Sequence, residues 1–350
     1  MSLTDGLQFL FWLAVSLAIG TWIVFAYWRL RSAQLRRAKG ETPLRSSRDV
    51  LWRHPGPLTA ADVEAGPCAA PAPPFHFVEE HDTGSQPCLS VRDASGHTWR
   101  VKWGAEVHTE VFGTRLAWAL GYFAEPSFFV AEGRILNARD LSRARDCVAG
   151  DGTFKDARFE LSERGVTKHF DEHGWAWHDN PFAGTKELHG LKILMMLVSN
   201  WDNKDVRDVA RGSNTAIFEH SANGGLEARY LIIDWGAALG AWGSNILQRG
   251  RWDPAAFAAQ NEQFILGVED GGVLWGYQGQ RTLDLVANIS VDDVRWFDTI
   301  ARAITDDHLR AALRASGANG EEVEAFTAAL RGRFDRIREV ATAPARQTGN

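Results

Sequence analysis

The chain has 350 residues, 45% hydrophobic and 23% charged, enough for a sizeable core in one two-lobed domain or two small ones. Its formal net charge is −6, with +4 over residues 1–40 (Arg29, Arg31, Arg36, Arg37 and Lys39 against Asp5), so the remainder carries −10. An acidic body argues against a nucleic-acid partner, and three scattered cysteines (Cys68, Cys88, Cys147) argue against a disulfide framework or a zinc site.

Leu7 to Trp28 holds no charged residue. Its 22 residues would cross roughly 30 Å of hydrocarbon at about 1.5 Å per residue. The chain start is not basic, as a cleaved leader would need, and the basic cluster follows the span instead. The pattern predicts a retained single-span anchor, with residues 29 onward in the cytoplasm. Residues 1–39 are therefore taken as the anchor and its basic flank.

Residues 40–74 read as a linker, because Pro43, Pro55, Pro57, Pro67, Pro71, Pro73 and Pro74 interrupt every possible element. Regular structure is expected from Phe75. Phe75–Val78, Leu89–Val91 and Thr98–Trp103 read as an antiparallel meander, with a turn at Asp93-Ala94-Ser95-Gly96. Val107, Val111, Leu116, Ala117 and Leu120 recur at helical spacing, and Gly121 is a stop. Phe128–Val130 and Arg134–Leu136 read as another hairpin. Residues 137–180 look irregular and insertion-like. Lys186–Ser199 is a helix by its apolar spacing. Thr215–Phe218 and Tyr230–Ile233 are strands joined by a turn at 221–225, and helices follow from Ser290 and from Asn319 to about Val340. This order predicts an α+β chain: a small sheet lobe over 75–136, a larger helical lobe over 137–341, and a tail over 342–350.

Three features carry chemistry. Lys102 sits in the strand Trp99-Arg100-Val101-Lys102-Trp103, Asp202 follows an apolar helical run, and Asp234 ends the apolar run Tyr230–Ile233 with Gly236 two residues on. A strand lysine, a helix-end aspartate and a strand-end Asp-x-Gly, in that order, form a phosphotransfer layout. Lys102 would hold nucleotide phosphates, with Glu110 on the following helix as its carboxylate partner and Glu106 as the rival. Asp202 would orient the acceptor hydroxyl. Asp234 would bind Mg²⁺, since a carboxylate ending a buried strand needs a partner. Asn214 would add an amide oxygen, and Asn203 is the alternative.

His169 and His173 have i, i+4 spacing that could share a metal on a helix, but Gly174, Trp175 and Trp177 surround them; a lid or acceptor-binding insertion is the other reading. There is no GxSxG, GxxxxGK[ST] or GxGxxG motif.

On these residues the chain resembles the atypical branch of the protein-kinase-like fold, which includes the HipA-type kinases, the phosphoinositide 3- and 4-kinases and the secretory-pathway kinases. Lys102 with Glu110 resembles that branch's strand lysine and first-helix glutamate, Asn200-x-Asp202 its catalytic loop, and Asp234-x-Gly236 its metal-binding motif. The resemblance spans roughly residues 75–340. It departs at Asn203-Lys204, where the family often has Arg-His, at Asn214, which lies 12 residues beyond Asp202, and in lacking a glycine-rich loop, for which Thr83-Gly84-Ser85 is the nearest candidate. With the Leu7–Trp28 anchor, it implies a membrane-anchored, ATP- and Mg²⁺-dependent phosphotransferase; the acceptor, whether lipid, protein or glycan, is left open by the sequence. The alternatives are a pseudokinase that binds nucleotide or serves as a tethered interaction module, and a nucleotidyl transferase.

Overall fold

The computed structural model describes residues 46, 48–162, 166–169, 175–202, 214–222, 225–279 and 282–344. The apolar run Leu7–Trp28 lies outside them; among the described residues no helix is long and apolar enough to cross a membrane.

The proline-rich stretch is not a slack linker. Strand β1 (Arg48–Val50) pairs in parallel with Glu227–Arg229. Helix α1 (Ala60–Ala65) starts at a capping box in which Thr59 Oγ1 accepts from the Asp62 amide and the Asp62 carboxylate accepts from the Thr59 amide. Each described proline of the stretch falls outside these short elements, where its missing N–H costs no ladder bond.

Strands β2 (Phe75–Glu80), β3 (Cys88–Arg92) and β4 (Thr98–Lys102) form the expected meander, and helix α2 (Val107–Ala119) follows. The region read as a hairpin at 128–136 is one ten-residue strand, β5 (Ser127–Leu136). A second long strand, β6 (Thr153–Ser162), lies in the stretch read as irregular. The five strands close into a barrel in the order β2-β3-β4-β6-β5. The barrel therefore runs to Ser162, beyond the residue 136 at which the sheet region was expected to end. Closure also removes the open edges that a simple meander would leave.

The period of two sorts the barrel faces. Trp99 and Val101 point inward with Leu89, Val91, Phe128, Ala157 and Phe159 and are buried. Phe75, Phe154 and Phe159 meet at ring distances of 4.8–6.3 Å. Each such fully buried aromatic contributes about 1.5–3 kcal/mol of transfer free energy. Arg100 and Lys102, on β4's other face, point outward. Helix α2 is buried on all sides, with only His108 and Trp118 of its 13 residues outside that set. An all-round buried helix must be covered from more than one direction; β5, β6 and the 306–315 helix all touch it.

The described residues after β6 carry most of the helices. Strand β7 (Thr167–His169) precedes helix α3 (Lys186–Leu197), whose Leu188, Leu191, Ile193, Leu194 and Leu197 are buried. Strands β8 (Thr215–Ala222) and β9 (Gly225–Ile232) are an antiparallel pair within the sheet β1-β9-β8-β7. Then come α4 (Pro254–Ala258), the hairpin β10 (Ile265–Glu269) and β11 (Gly272–Trp275), α5 (Thr282–Val286), α6 (Val291–Ala301), α7 (Asp306–Ala315) and α8 (Gly320–Thr342). Ser290 and Asn319 open α6 and α8 with capping boxes to Asp293 and Glu322. The helix expected to end near Val340 continues to Thr342. The architecture is mixed α+β.

Candidate functional site

Lys102 is the last residue of β4. Asp202 lies four residues beyond the α3 cap Val198, after a tight turn in which Ser199 takes a φ of 57°. Asp234 follows β9, and Asn214 immediately precedes β8. Because β8 and β9 are antiparallel, the start of one and the end of the other lie at the same end of the hairpin. Asn214 Nδ2 donates to the Asp202 carbonyl. Asn200 Nδ2 donates to the Asp234 carbonyl at 2.9 Å, and the Ile233 amide to the Asn214 carbonyl at 3.0 Å. Asn200, Asp202, Asn214 and Asp234 thus form one knot of chain.

Helix α2 rests on this knot. Thr109 Oγ1 donates to the Gly236 carbonyl at 3.1 Å. Gly113 lies against Trp235, where a Cβ would meet the indole Cβ at 2.5 Å, and a Cβ on Gly236 would meet Glu106 Cγ at 2.7 Å. Two absent side chains let the helix and the Asp-Trp-Gly segment touch. Glu106 itself is ion-paired to Arg251 at 2.5 Å.

Lys102 does not pair with Glu110, as the sequence reading expected. Its ion-pair partner is Glu160, at 3.6 Å. Glu110 pairs with Arg158 at 2.7 Å, and Arg158 also reaches Glu160 at 3.3 Å. The order across the site is Lys102, Glu160, Arg158, Glu110, with charges alternating. Arg158 and Glu160 are functional candidates that the sequence reading missed. The signal was present: Arg158 and Glu160 alternate with Ala157, Phe159 and Leu161, so one face of β6 is charged and the other apolar.

Acids dominate the local field. Burial pushes the Asp234 carboxyl up, and the neighbouring Asp202 and Glu106 carboxylates add to this; the Gly236 amide and Arg158 oppose it. Burial also pushes Glu110 up, to about 8. Arg158 pulls against that, while Asp234 and Glu160 reinforce it. For Arg158 burial works downward, but Glu110, Glu160, Asp234 and Glu125 together outweigh it, and the guanidinium ends raised. A surplus of buried carboxylates around few cations asks for added positive charge.

The donor set fits a hard cation. Asp234 offers a buried carboxylate, and Asn200 Oδ1 and Asn214 Oδ1 are buried without a hydrogen-bond partner. Such orphaned oxygens are costly unless a ligand uses them. No cluster of three or more His, Cys, Asp and Glu among the described residues could hold a metal alone.

Other expectations change. The 81–87 turn between β2 and β3 presents carbonyls to a guanidinium: Arg143 donates to the carbonyls of His81, Thr83 and Gly84. Thr83-Gly84-Ser85, the stretch nearest to a glycine-rich loop, is thus held by Arg143. His169 lies on β7, opposite Ile217, so the helical pairing with His173 is excluded; His173 and Asn203 lie outside the described residues.

No family model matches the chain, and no curated protein matches it. Among solved structures the chain is similar to the crystal structure of the Golgi casein kinase with Mn/ADP bound: 11% identity over 78% of this chain and 74% of that one, with a TM-score of 0.36. A second crystal structure of the Golgi casein kinase matches at 10% identity over 80% of this chain and 74% of that one, also with a TM-score of 0.36. A likeness at that level carries no argument about fold or activity.

Proposed function

We propose that the chain is an atypical kinase-type phosphotransferase that uses ATP and Mg²⁺. One observation carries this reading. The cation-bearing face of a small barrel and a strand-end Asp-x-Gly meet at helix α2, where Glu110 pairs with Arg158 of the barrel and Thr109 donates to the Gly236 carbonyl. The order of parts supports it: a strand lysine, a following helix, two more barrel strands, a second helix ending near an aspartate, then a hairpin ending in Asp-x-Gly.

Lys102, the most exposed member of the charge ladder, binds nucleotide phosphates. Asp234 with the amide oxygens of Asn214 or Asn200 holds Mg²⁺, which when bound neutralises phosphate charge. Asp202 accepts a hydrogen bond from the acceptor hydroxyl, aligns it and takes its proton. The residues place no limit on whether that hydroxyl belongs to a lipid, protein or glycan. The Leu7–Trp28 run and the basic flank after it support an anchored chain with this domain in the cytoplasm, where ATP is available.

The test is nucleotide affinity with and without Mg²⁺, followed by ATP consumption against membrane and soluble extracts. Magnesium-dependent binding with turnover is expected. Binding without turnover would favour the pseudokinase. No nucleotide binding at all would sink both. For topology, a C-terminal reporter should be active in the cytoplasm; activity only in an oxidising, extracytoplasmic compartment would overturn the orientation.

A further inference from the structure

Strand β6 crosses the site between Lys102 and Glu110. Lys102 is paired across the β4–β6 ladder with Arg158, and Arg100 with Glu160. Two like charges directly opposite one another are unfavourable. Glu160, on the same face and one step diagonal to Lys102, offsets this by taking both cations: Lys102 Nζ at 3.6 Å and Arg158 Nη2 at 3.3 Å. Arg158 then turns its other amino group to Glu110. Arg158, Glu160 and Glu110 are nearly buried, with side-chain exposures of 5–6%, while Lys102 retains 27%. The ladder is closed at the Glu110 end and open to solvent at the lysine.

We infer that Glu160 is the positioning residue for Lys102, and that Arg158 separates Glu110 from it, so that strand pairing and not the placement of helix α2 sets the phosphate-binding cation. The inference rests on the functional reading above for the role of Lys102, but the pairing itself does not. Strand register is fixed by backbone hydrogen bonds within a closed barrel, whereas a helix can shift as a body against a sheet. A displacement of α2 strains Arg158 and Glu110 first and leaves Lys102 with Glu160. Lys102 is thus held ready whether or not α2 is docked.

The titratable groups facing this cluster are Cys88 from β3, Arg100 from β4, Arg158 and Glu160 from β6, Glu110 from α2, Glu125 ahead of β5, and Asp234 beyond β9. The test reads the ¹³C-methyl resonance of the Lys102 amine at fixed pH, by NMR of the reductively ¹³C-methylated full chain, with Lys102→Arg for assignment. Glu160→Gln removes the carboxylate paired with Lys102, moves that resonance, and weakens Mg²⁺–ATP binding about tenfold, the scale for partners that hold a ligating group in place. Glu110→Gln leaves the resonance in place. A resonance that moves with Glu110→Gln and not with Glu160→Gln overturns the inference. Should Glu160→Gln fail to fold, Glu160→Asp decides it: the shortened carboxylate moves the resonance as well, and an unmoved resonance would overturn the assignment. A wild type that binds no nucleotide refutes the functional reading, while the resonance still decides the pairing.

Discussion

Arg158 Nη1 lies 2.7 Å from the Glu110 carboxylate, with both side chains almost wholly buried. The pair links the barrel to helix α2 beneath the Asp-Trp-Gly segment.

Burial holds the Glu110 carboxyl at about 8, above its ordinary 4.5. Between those values the folded chain keeps a proton that the unfolded chain has released. This contribution to stability is complete below about pH 4.5 and lost as pH rises through about 8. Urea midpoints measured from pH 5 to 8 should show a falling component of at most about 1.4 kcal/mol per pH unit. Glu110→Gln should flatten it. An unchanged slope in the variant would show that Glu110 is ionised throughout.

Asp234 is destabilising when empty of a cation, since burial and the Asp202 and Glu106 charges all oppose its ionisation. Asp234→Asn should therefore raise the melting temperature of the ligand-free protein by roughly 2–4 °C, about 1 kcal/mol for a domain of this size. The same variant should lose Mg²⁺-dependent nucleotide binding. Calorimetric scans with and without Mg²⁺ read both effects, and a lower melting temperature with metal response intact would refute the assignment.

Asp202→Ala should leave Mg²⁺-dependent nucleotide affinity close to wild type and slow transfer by roughly a hundredfold or more, the scale of a lost general base. Single-turnover rates beside equilibrium binding make the comparison. Equal losses in both would move Asp202 from acceptor activation to metal binding.

Arg333 is fully buried on α8. It donates to the Met196 and Leu197 carbonyls, Ser199 Oγ, the Phe257 carbonyl and Asn261 Oδ1, and stacks 3.7 Å over Phe257. No carboxylate appears among these partners, and burial drives its pKa well down. Its donors hold the chain end that leads into Asn200 and Asp202. Arg333→Met leaves these buried acceptors without their donor and should cost several kcal/mol, at about 1–3 kcal/mol for each that stays unsatisfied. Arg333→Lys should not restore it, because one ammonium cannot serve five divergent acceptors. Full rescue by lysine in chemical denaturation would show that charge alone matters.

Element types and order around Lys102, Asp202 and Asp234 were legible because each sits beside a long apolar run whose period is unambiguous. The Arg158–Glu160 pair was not, because β6 lies in a stretch dense in charge, and charge reads as loop unless one face of a strand is known to be covered. β5 was divided in two at Glu132-Gly133, which carries a turn composition; barrel pairing with Lys155 and Phe154 overrides it. The partner of Lys102 was not legible at all. Local spacing points to the next helix, and only the non-local β4–β6 register brings Glu160 closer.

The strip Ser46–Arg53 has a consequence for where the folded protein begins. Its Ser46 amide reaches Glu219 at 2.6 Å, Arg53 reaches Glu227 at 2.8 Å, and Trp52 Nε1 donates to the Leu120 carbonyl at the end of α2. Leu51 is buried. A fragment starting at Phe75, where the prolines end, would strip the outer strand from β9 and expose its parallel-pairing edge to other molecules. It should aggregate on expression, whereas one that starts ahead of Ser46 should stay monodisperse.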